Sequence, residues 1–388
     1  MNLASRMSTL APEGAYAVLS AASELERKGK SIIHLEIGQP DFPTPVHIVR
    51  AGIAALRAGK TKYTAPLGTW ELRQAIAKYV SIARGRETSA CNIAVTPSGK
   101  TAIFTALAAT VSPGDEVMYP DPGFPTYRTL IEFFGGKAVP IPLSESSRFS
   151  FDMLVLRKKF SKKTKLIILN SPSNPTGGVM PKSDIEEIAD MVKHTGCWVV
   201  SDEMYSRMVY SDEPYTSIFS IPGMQKQTIN VDGFSKTYAM TGWRLGYMVV
   251  PEAIVDRIDY FLTHSVGCTA GFVQEAGIAA LQGSQRPSIR MVEEFKKRRD
   301  AVVTLLNDIP GVRCQMPDGA FYAFPNISSF KKPSKVFAKY LLEHAGVAVL
   351  AGTDFGQYGE GYLRISYAAS LSTLQEGIQR MKKALHKL

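Results

Sequence analysis

Short apolar runs alternate along the chain with longer segments whose apolar positions fall three or four apart, the pattern of buried strands interleaved with amphipathic helices. Residues 229–231, 166–169 and the CWVVSD segment ending at Asp202 read as buried strands, as do NIAVT and DEVMY. Residues 14–30 place Val18, Ala22 and Leu25 on one helical face, set Glu24 four residues ahead of Lys28 and stop at Gly29. A second helix begins near Trp70, with Leu72, Ile76 and Tyr79 at helical spacing. SDIEEIADMVKHTG predicts a helix opened by a capping box at Ser183 and closed at Gly196, and the last helix is expected to open with a box from Ser372 to Gln375.

This interleaving predicts an α/β fold with a mostly parallel sheet flanked by helices. After Gly283 the composition shifts to a long charged helix, RPSIRMVEEFKKRRDAVVTLLNDIPG. Short strands and helices follow it in GAFYAFPNI, SKVFAKYLLEHAG, VAVLAG and YLRISYA. We expect a large domain over residues 46–283 and a smaller α+β domain over 284–388, joined by an N-terminal segment, residues 1–45.

At 388 residues and 45% hydrophobic, the chain is long enough to bury two cores. Its net charge of +10 falls in clusters such as KKFSKKTK around Lys162 and KKRR around Lys297. No aromatic interleaving or DNA-binding motif accompanies them, so they read as helical or turn surface and predict no nucleic-acid partner. Cys91, Cys197, Cys268 and Cys314 stand far apart without CxxC spacing, which argues against a zinc site or a disulfide framework and predicts buried thiols in a reducing compartment. The N-terminus lacks the apolar core of a signal peptide, and no apolar run approaches the roughly 20 residues that span a bilayer, so a cytoplasmic protein without a membrane part is expected.

Several loops carry candidate chemistry. Lys236 lies just beyond the strand at 229–231, where ligands bind in open α/β sheets, with Ser235 and Thr237 beside it and Arg244 eight residues on. VTPSGKT is a strand, a turn and a helix start, so Gly99 and Lys100 open an anion-binding helix N-terminus. A nucleoside-triphosphate loop is excluded, because that motif needs glycine where the chain has Ala94. Gly38, in the proline-bound loop IGQPDFPTP, allows close backbone approach, although a rigid connector would look the same. Phe124 is either core filler or a stacking ring; Asp202 is either a turn former or a strand-end carboxylate. Arg364, between Leu363 and Ile365, is either an edge solubiliser or an anion clamp.

GFSKTYAMTGWRLGY closely resembles the Schiff-base lysine segment of the fold type I pyridoxal-phosphate-dependent aminotransferases, which include bacterial aspartate and aromatic aminotransferases. NSPSNPTGG is similar to the family's NxPxNPTG loop, and further matches run in the same order over nearly the whole chain. The resemblance implies the fold type I architecture, with a seven-stranded-type sheet in the large domain and the N-terminal segment lining the active site. It implies pyridoxal 5'-phosphate joined to Lys236 as an aldimine. By the same resemblance, the Gly99 and Lys100 amides, Ser235 and Arg244 hold the phosphate, Phe124 stacks on the pyridine, Asn174 and Tyr205 bind the phenolic oxygen, and Asp202 keeps the ring nitrogen protonated. Tyr63 matches a tyrosine that reaches the neighbouring subunit's phosphate, which implies a homodimer with shared active sites. Arg364 would clamp the substrate's α-carboxylate, with the Gly38 loop and Asn174 lining the pocket, and Lys236, Asp202 and Tyr205 would be catalytic.

The activity implied is ping-pong transfer of an amino group between an L-amino acid and a 2-oxo acid; the alternative is a β-lyase or other α-carbon chemistry on the same scaffold. PEGAY at residues 12–16 aligns with a stretch that shapes the side-chain pocket, and offers Gly14 and Ala15 where aspartate-specific relatives commonly carry a hydroxyl. No second cation for a distal carboxylate is identifiable, and Glu13 is a candidate contact for a basic side chain, so the amino donor stays open.

Overall fold

The computed structural model describes residues 3–211 and 213–387. Its strands, in chain order, are β1 Ile33–His34, β2 Ile93–Thr96, β3 Glu116–Asp121, β4 Lys137–Pro142, β5 Thr164–Asn170, β6 Trp198–Asp202, β7 Thr228–Gly233, β8 Gly246–Val249, β9 Tyr322–Ala323, β10 Val347–Ala348, β11 Leu350–Ala351 and β12 Leu363–Ser366. Seven of them form one sheet in the order β2-β8-β7-β6-β5-β3-β4. Neighbours are parallel except at β8, which runs antiparallel to both β2 and β7. The expected α/β architecture is therefore present.

The apolar runs are continuous because both sheet faces are covered. Along β5, Leu166 and Ile168 face a core with Ile103, Leu107 and Ile131 from the helices Gly99–Thr110 and Thr126–Phe133. Ile167 and Leu169 face the opposite core, with Ile185, Ile188 and Val192 from the helix Lys182–Val192. Because β3, β5, β6 and β7 are parallel, Asp121, Asn170, Asp202 and Gly233 all close their strands at one sheet edge.

A separate core gathers Ile33 and Leu35 with Phe295, Val302, Phe321, Phe337, Ile365, Leu374 and Ile378. Its sheet has the order β11-β12-β9, and β1 pairs in parallel with β10, Ile33 opposite Val347. Along one side runs the helix Arg286–Asn307.

Four local expectations are corrected. The helix Lys182–Val192 follows Pro181, whose fixed φ starts it without a side-chain cap, so Ser183 lies inside the first turn. It ends before His194, which takes a positive φ of 66°, rather than at Gly196. The last helix, Leu371–Leu385, is capped by Ser370, whose hydroxyl accepts from the Thr373 amide at 3.1 Å, so Ser372 is not its cap. Cys91 is exposed in a short turn and Cys268 is half-buried, leaving Cys197 and Cys314 as the buried thiols.

The KKRR cluster is only partly surface. Arg298 and Arg299 are buried; Arg298 Nη1 donates to Asp41 Oδ1 at 2.7 Å and its guanidinium lies 4.9 Å from the centre of the Phe42 ring. Arg299 Nη1 donates to the Pro317 carbonyl at 3.1 Å. Two charges in the cluster thus tie the helix Arg286–Asn307 to the loops around it.

Ser370→Ala should lower stability by about 1 kcal/mol, the usual worth of an N-cap, whereas Ser372→Ala should change it by less than about 0.5 kcal/mol. Chemical denaturation of the two variants checks the assignment.

Candidate active site

Outside the carboxyl edge of the large sheet lies a cavity of about 750 Å³. Lys236, Asp202, Tyr205, Asn174, Gly99, Lys100, Phe124, Ser235, Arg244, Gly38 and Arg364 line it. These come from widely separated parts of the chain, and parallel pairing brings them together: Asn170 is in register with Asp202 at the ends of β5 and β6, and Lys236 lies three residues beyond the end of β7. Tyr63 is the exception among the predicted residues; it is 96% exposed and does not line this cavity.

Lys236 Nζ donates to the Gly38 carbonyl at 2.6 Å. Burial, then the charges of Arg364, Arg244 and Lys100, lower its pKa to about 8, with Asp202 opposing the shift. A side chain at Gly38 would overlap the Tyr322 hydroxyl, so only glycine brings this carbonyl to the amine with that tyrosine in place.

Asp202 is buried at the end of β6. Burial pushes its pKa up to about 6, while the Tyr127 hydroxyl, donating at 2.6 Å to Oδ2, and the Met204 amide, donating at 3.2 Å to Oδ1, hold it down. Asn170 Nδ2 donates to the Asp202 carbonyl at 3.2 Å, and its Oδ1 accepts from the Asn174 amide at 2.9 Å, which fixes the loop carrying Asn174. Tyr205 and Tyr322 share a hydrogen bond of 2.7 Å between their hydroxyls.

Arg364 occupies the central strand of its sheet, which removes the edge-solubiliser alternative. Its guanidinium lies 4.7 Å from the centre of the Tyr322 ring and 4.9 Å from that of Phe355. Nη1 donates to Asn174 Oδ1 at 3.3 Å and Nη2 to the Glu36 carbonyl, but Nε is buried without an acceptor. A buried charged donor left free is costly, and an incoming carboxylate would satisfy it.

At the helix start, Ser98 accepts from the Thr101 amide with its hydroxyl at 3.1 Å, leaving the Gly99 turn beside the cavity. Lys100 points instead to Glu13, donating to Oε2 at 2.8 Å, with its ammonium 5.2 Å from the centre of the Phe124 ring. Arg244 takes a left-handed φ of 58° and donates through Nη1 to the Thr241 carbonyl at 2.7 Å.

A sequence profile of the family described as "Aminotransferase class I and II" matches residues 30–381. The chain is 37% identical to an aspartate aminotransferase of Musicola paradisiaca, over 99% of this chain and 96% of that protein. It is also 37% identical to aromatic-amino-acid aminotransferase 2 of Thermococcus litoralis, over 99% and 98%. The chain belongs to the class I and II aminotransferases. Its backbone superposes on the aspartate aminotransferase of Rhizobium meliloti with a TM-score of 0.96, at 34% identity and full coverage of both chains. The fold type I assignment and amino-group transfer stand on these matches, which do not favour the β-lyase alternative.

Sequence reasoning missed Tyr127 and Tyr322 in this aminotransferase. Tyr127 follows Phe124 by three residues at a helix start, a spacing that puts both rings on one side, and they meet edge to face at 5.7 Å between centres. Tyr322 stood among the aromatics of GAFYAF, where nothing marked one ring above its neighbours. The Glu36 carbonyl carries no side-chain signal at all.

Tyr127→Phe removes a hydrogen bond that favours the carboxylate form, so the Asp202 pKa should rise above its value of about 6. Infrared titration of the protonated carboxyl band, with Asp202→Asn as the blank, should show that group holding its proton to higher pH.

Proposed function

We propose that the enzyme uses pyridoxal 5'-phosphate to move an amino group between an L-amino acid and a 2-oxo acid. The observation that carries this reading is the convergence of Lys236, Asp202 and Arg364 on one cavity. The donor set suits the group: an amine whose pKa is about 8, a buried carboxylate, a helix N-terminus beside the cavity and an unfilled guanidinium donor. When bound, the cofactor supplies an electron-withdrawing ring that acidifies the hydrogen on the amino acid's α-carbon.

Lys236 Nζ sheds its proton more readily than an ordinary lysine, so as a free amine it would attach the cofactor covalently and, once the substrate has displaced it, would serve as the base at the substrate's α-carbon. Asp202 holds a proton on the ring nitrogen. Arg364 takes the α-carboxylate, using Nε and the guanidinium edge that faces the cavity. The Gly99 and Lys100 amides, Ser235 and Arg244 receive the phosphate; Phe124 covers the ring; Asn174 and Tyr205 bind the phenolic oxygen. Gly38 contributes its carbonyl to Lys236 and its loop to the cavity wall.

Tyr63, exposed and away from its own cavity, serves the phosphate of a second copy, which makes the working unit a homodimer with shared sites. We divide each chain into an N-terminal segment over 1–45, a large domain over 46–283 and a small domain over 284–388. The packing of Ile33 and Leu35 with buried side chains beyond residue 290 supports the first and last of these belonging together. The four unpaired cysteines support a cytoplasmic setting.

Purified enzyme loaded with pyridoxal 5'-phosphate should lose its visible absorbance when an amino donor is added and regain it with a 2-oxo acid. Lys236→Ala should lower this transfer by at least ~100-fold, the scale of a lost general base; near-normal transfer in that variant would sink the assignment. Sedimentation equilibrium should give twice the chain mass.

A further inference from the structure

One stretch of the cavity wall comes from residues 13–16, at the start of the helix Gly14–Arg27, and from Asp354 and Phe355. Its charges are negative. Glu13 accepts from Lys100 at 2.8 Å, with the two side chains 27% and 47% exposed. Asp354 is drawn in against Gly14, where an added Cβ would lie 2.6 Å from its Cγ; its nearest cation, Lys335 Nζ, stands 3.8 Å away and is largely exposed. Four cations line the cavity among the described residues. Lys236, Arg244 and Arg364 are committed by the proposed function, so of the cations that one chain supplies to the cavity Lys100 alone is left for a second anionic group on a substrate, and Glu13 already holds it.

Ping-pong transfer brings the side chains of two different substrates to one wall. A distal carboxylate arriving there meets Glu13 and Asp354 unless Lys100 changes partner. An ion pair this exposed is weak, so the exchange is feasible, but it leaves Glu13 unpaired beside a like charge. We propose that Glu13 is a specificity-determining residue: by occupying Lys100, its carboxylate selects against substrates with a distal carboxylate and in favour of those with an uncharged side chain. This rests on the transfer reading only for the kind of molecule that enters the cavity.

The test is binding to the holoenzyme without turnover. Maleate and hydrocinnamate, one with a distal carboxylate and one with an uncharged ring, are titrated calorimetrically against wild type, Glu13→Gln and Lys100→Met. Glu13→Gln frees Lys100 and removes a repulsive charge, so the ratio of affinities should shift toward maleate by about tenfold or more. Lys100→Met leaves Glu13 unpaired, and the ratio should shift toward hydrocinnamate. A ratio in Glu13→Gln that stays within about threefold of wild type, or moves toward hydrocinnamate, overturns the inference, as does loss of both ligands. Because these ligands do not react, an unmoved ratio in an enzyme that still transfers amino groups rejects the role of Glu13 alone. Failure of transfer with every amino acid would instead reject the function.

Discussion

The site depends on a half-buried amine set among like charges. Lys236 has Arg364, Arg244 and Lys100 pushing its proton off and one nearby carboxylate, Asp202, pulling it back. In bulk water such interactions would be screened almost to nothing; in a cavity walled by sheet ends and aromatic rings they add to burial in bringing the pKa down to about 8, so the free amine is far more accessible near neutrality than in an ordinary lysine. Each of these charges therefore has to be held in place by something that does not move.

Much of that holding is done beneath the cavity. Arg84, at the end of the helix Trp70–Arg84, is buried with Nη2 2.6 Å from Glu203 Oε2 and 3.8 Å from Asp232 Oδ2. Glu203 follows Asp202 directly, and Asp232 lies four residues before Lys236, so one guanidinium ties together the strand ends that carry the acid and the amine. Ser201 donates to Glu203 at 2.8 Å and Tyr247 to Asp232 at 3.2 Å. With two carboxylates and one guanidinium, burial pushes Asp232 up to about 7, while Arg84 and the Gly233 amide pull it down. Buried ion pairs of this kind add little net stability over apolar packing, but losing one partner strands the other, so they enforce a geometry.

The large sheet was legible because its strands are buried on both faces and so read as uninterrupted apolar runs, and Asp202 and Lys236 could be placed at its edge from those runs. The helix caps were less legible. Ser183 and Ser372 satisfy a spacing rule, yet Pro181 and Ser370 start the helices, because a spacing pattern cannot say which of two nearby residues leaves the extended conformation first. Contacts between distant segments were the least accessible. The Tyr127 hydroxyl on Asp202, the Glu36 carbonyl on Arg364 and the Glu13 grip on Lys100 each join residues that only the folded chain brings together, and two of the three acceptors or donors are ordinary residues in ordinary loops. Arg298 shows the same limit: in a run of four basic residues, nothing local distinguishes the two that turn inward.

That inward turn has a mechanical meaning. Arg298 is rooted in a helix of the core around Phe295 and grips Asp41, three residues past the carbonyl that receives the Lys236 amine. Displacing the helix pulls on this short tether, so the posture of the outer layer and the seating of the Lys236 nitrogen cannot be adjusted independently.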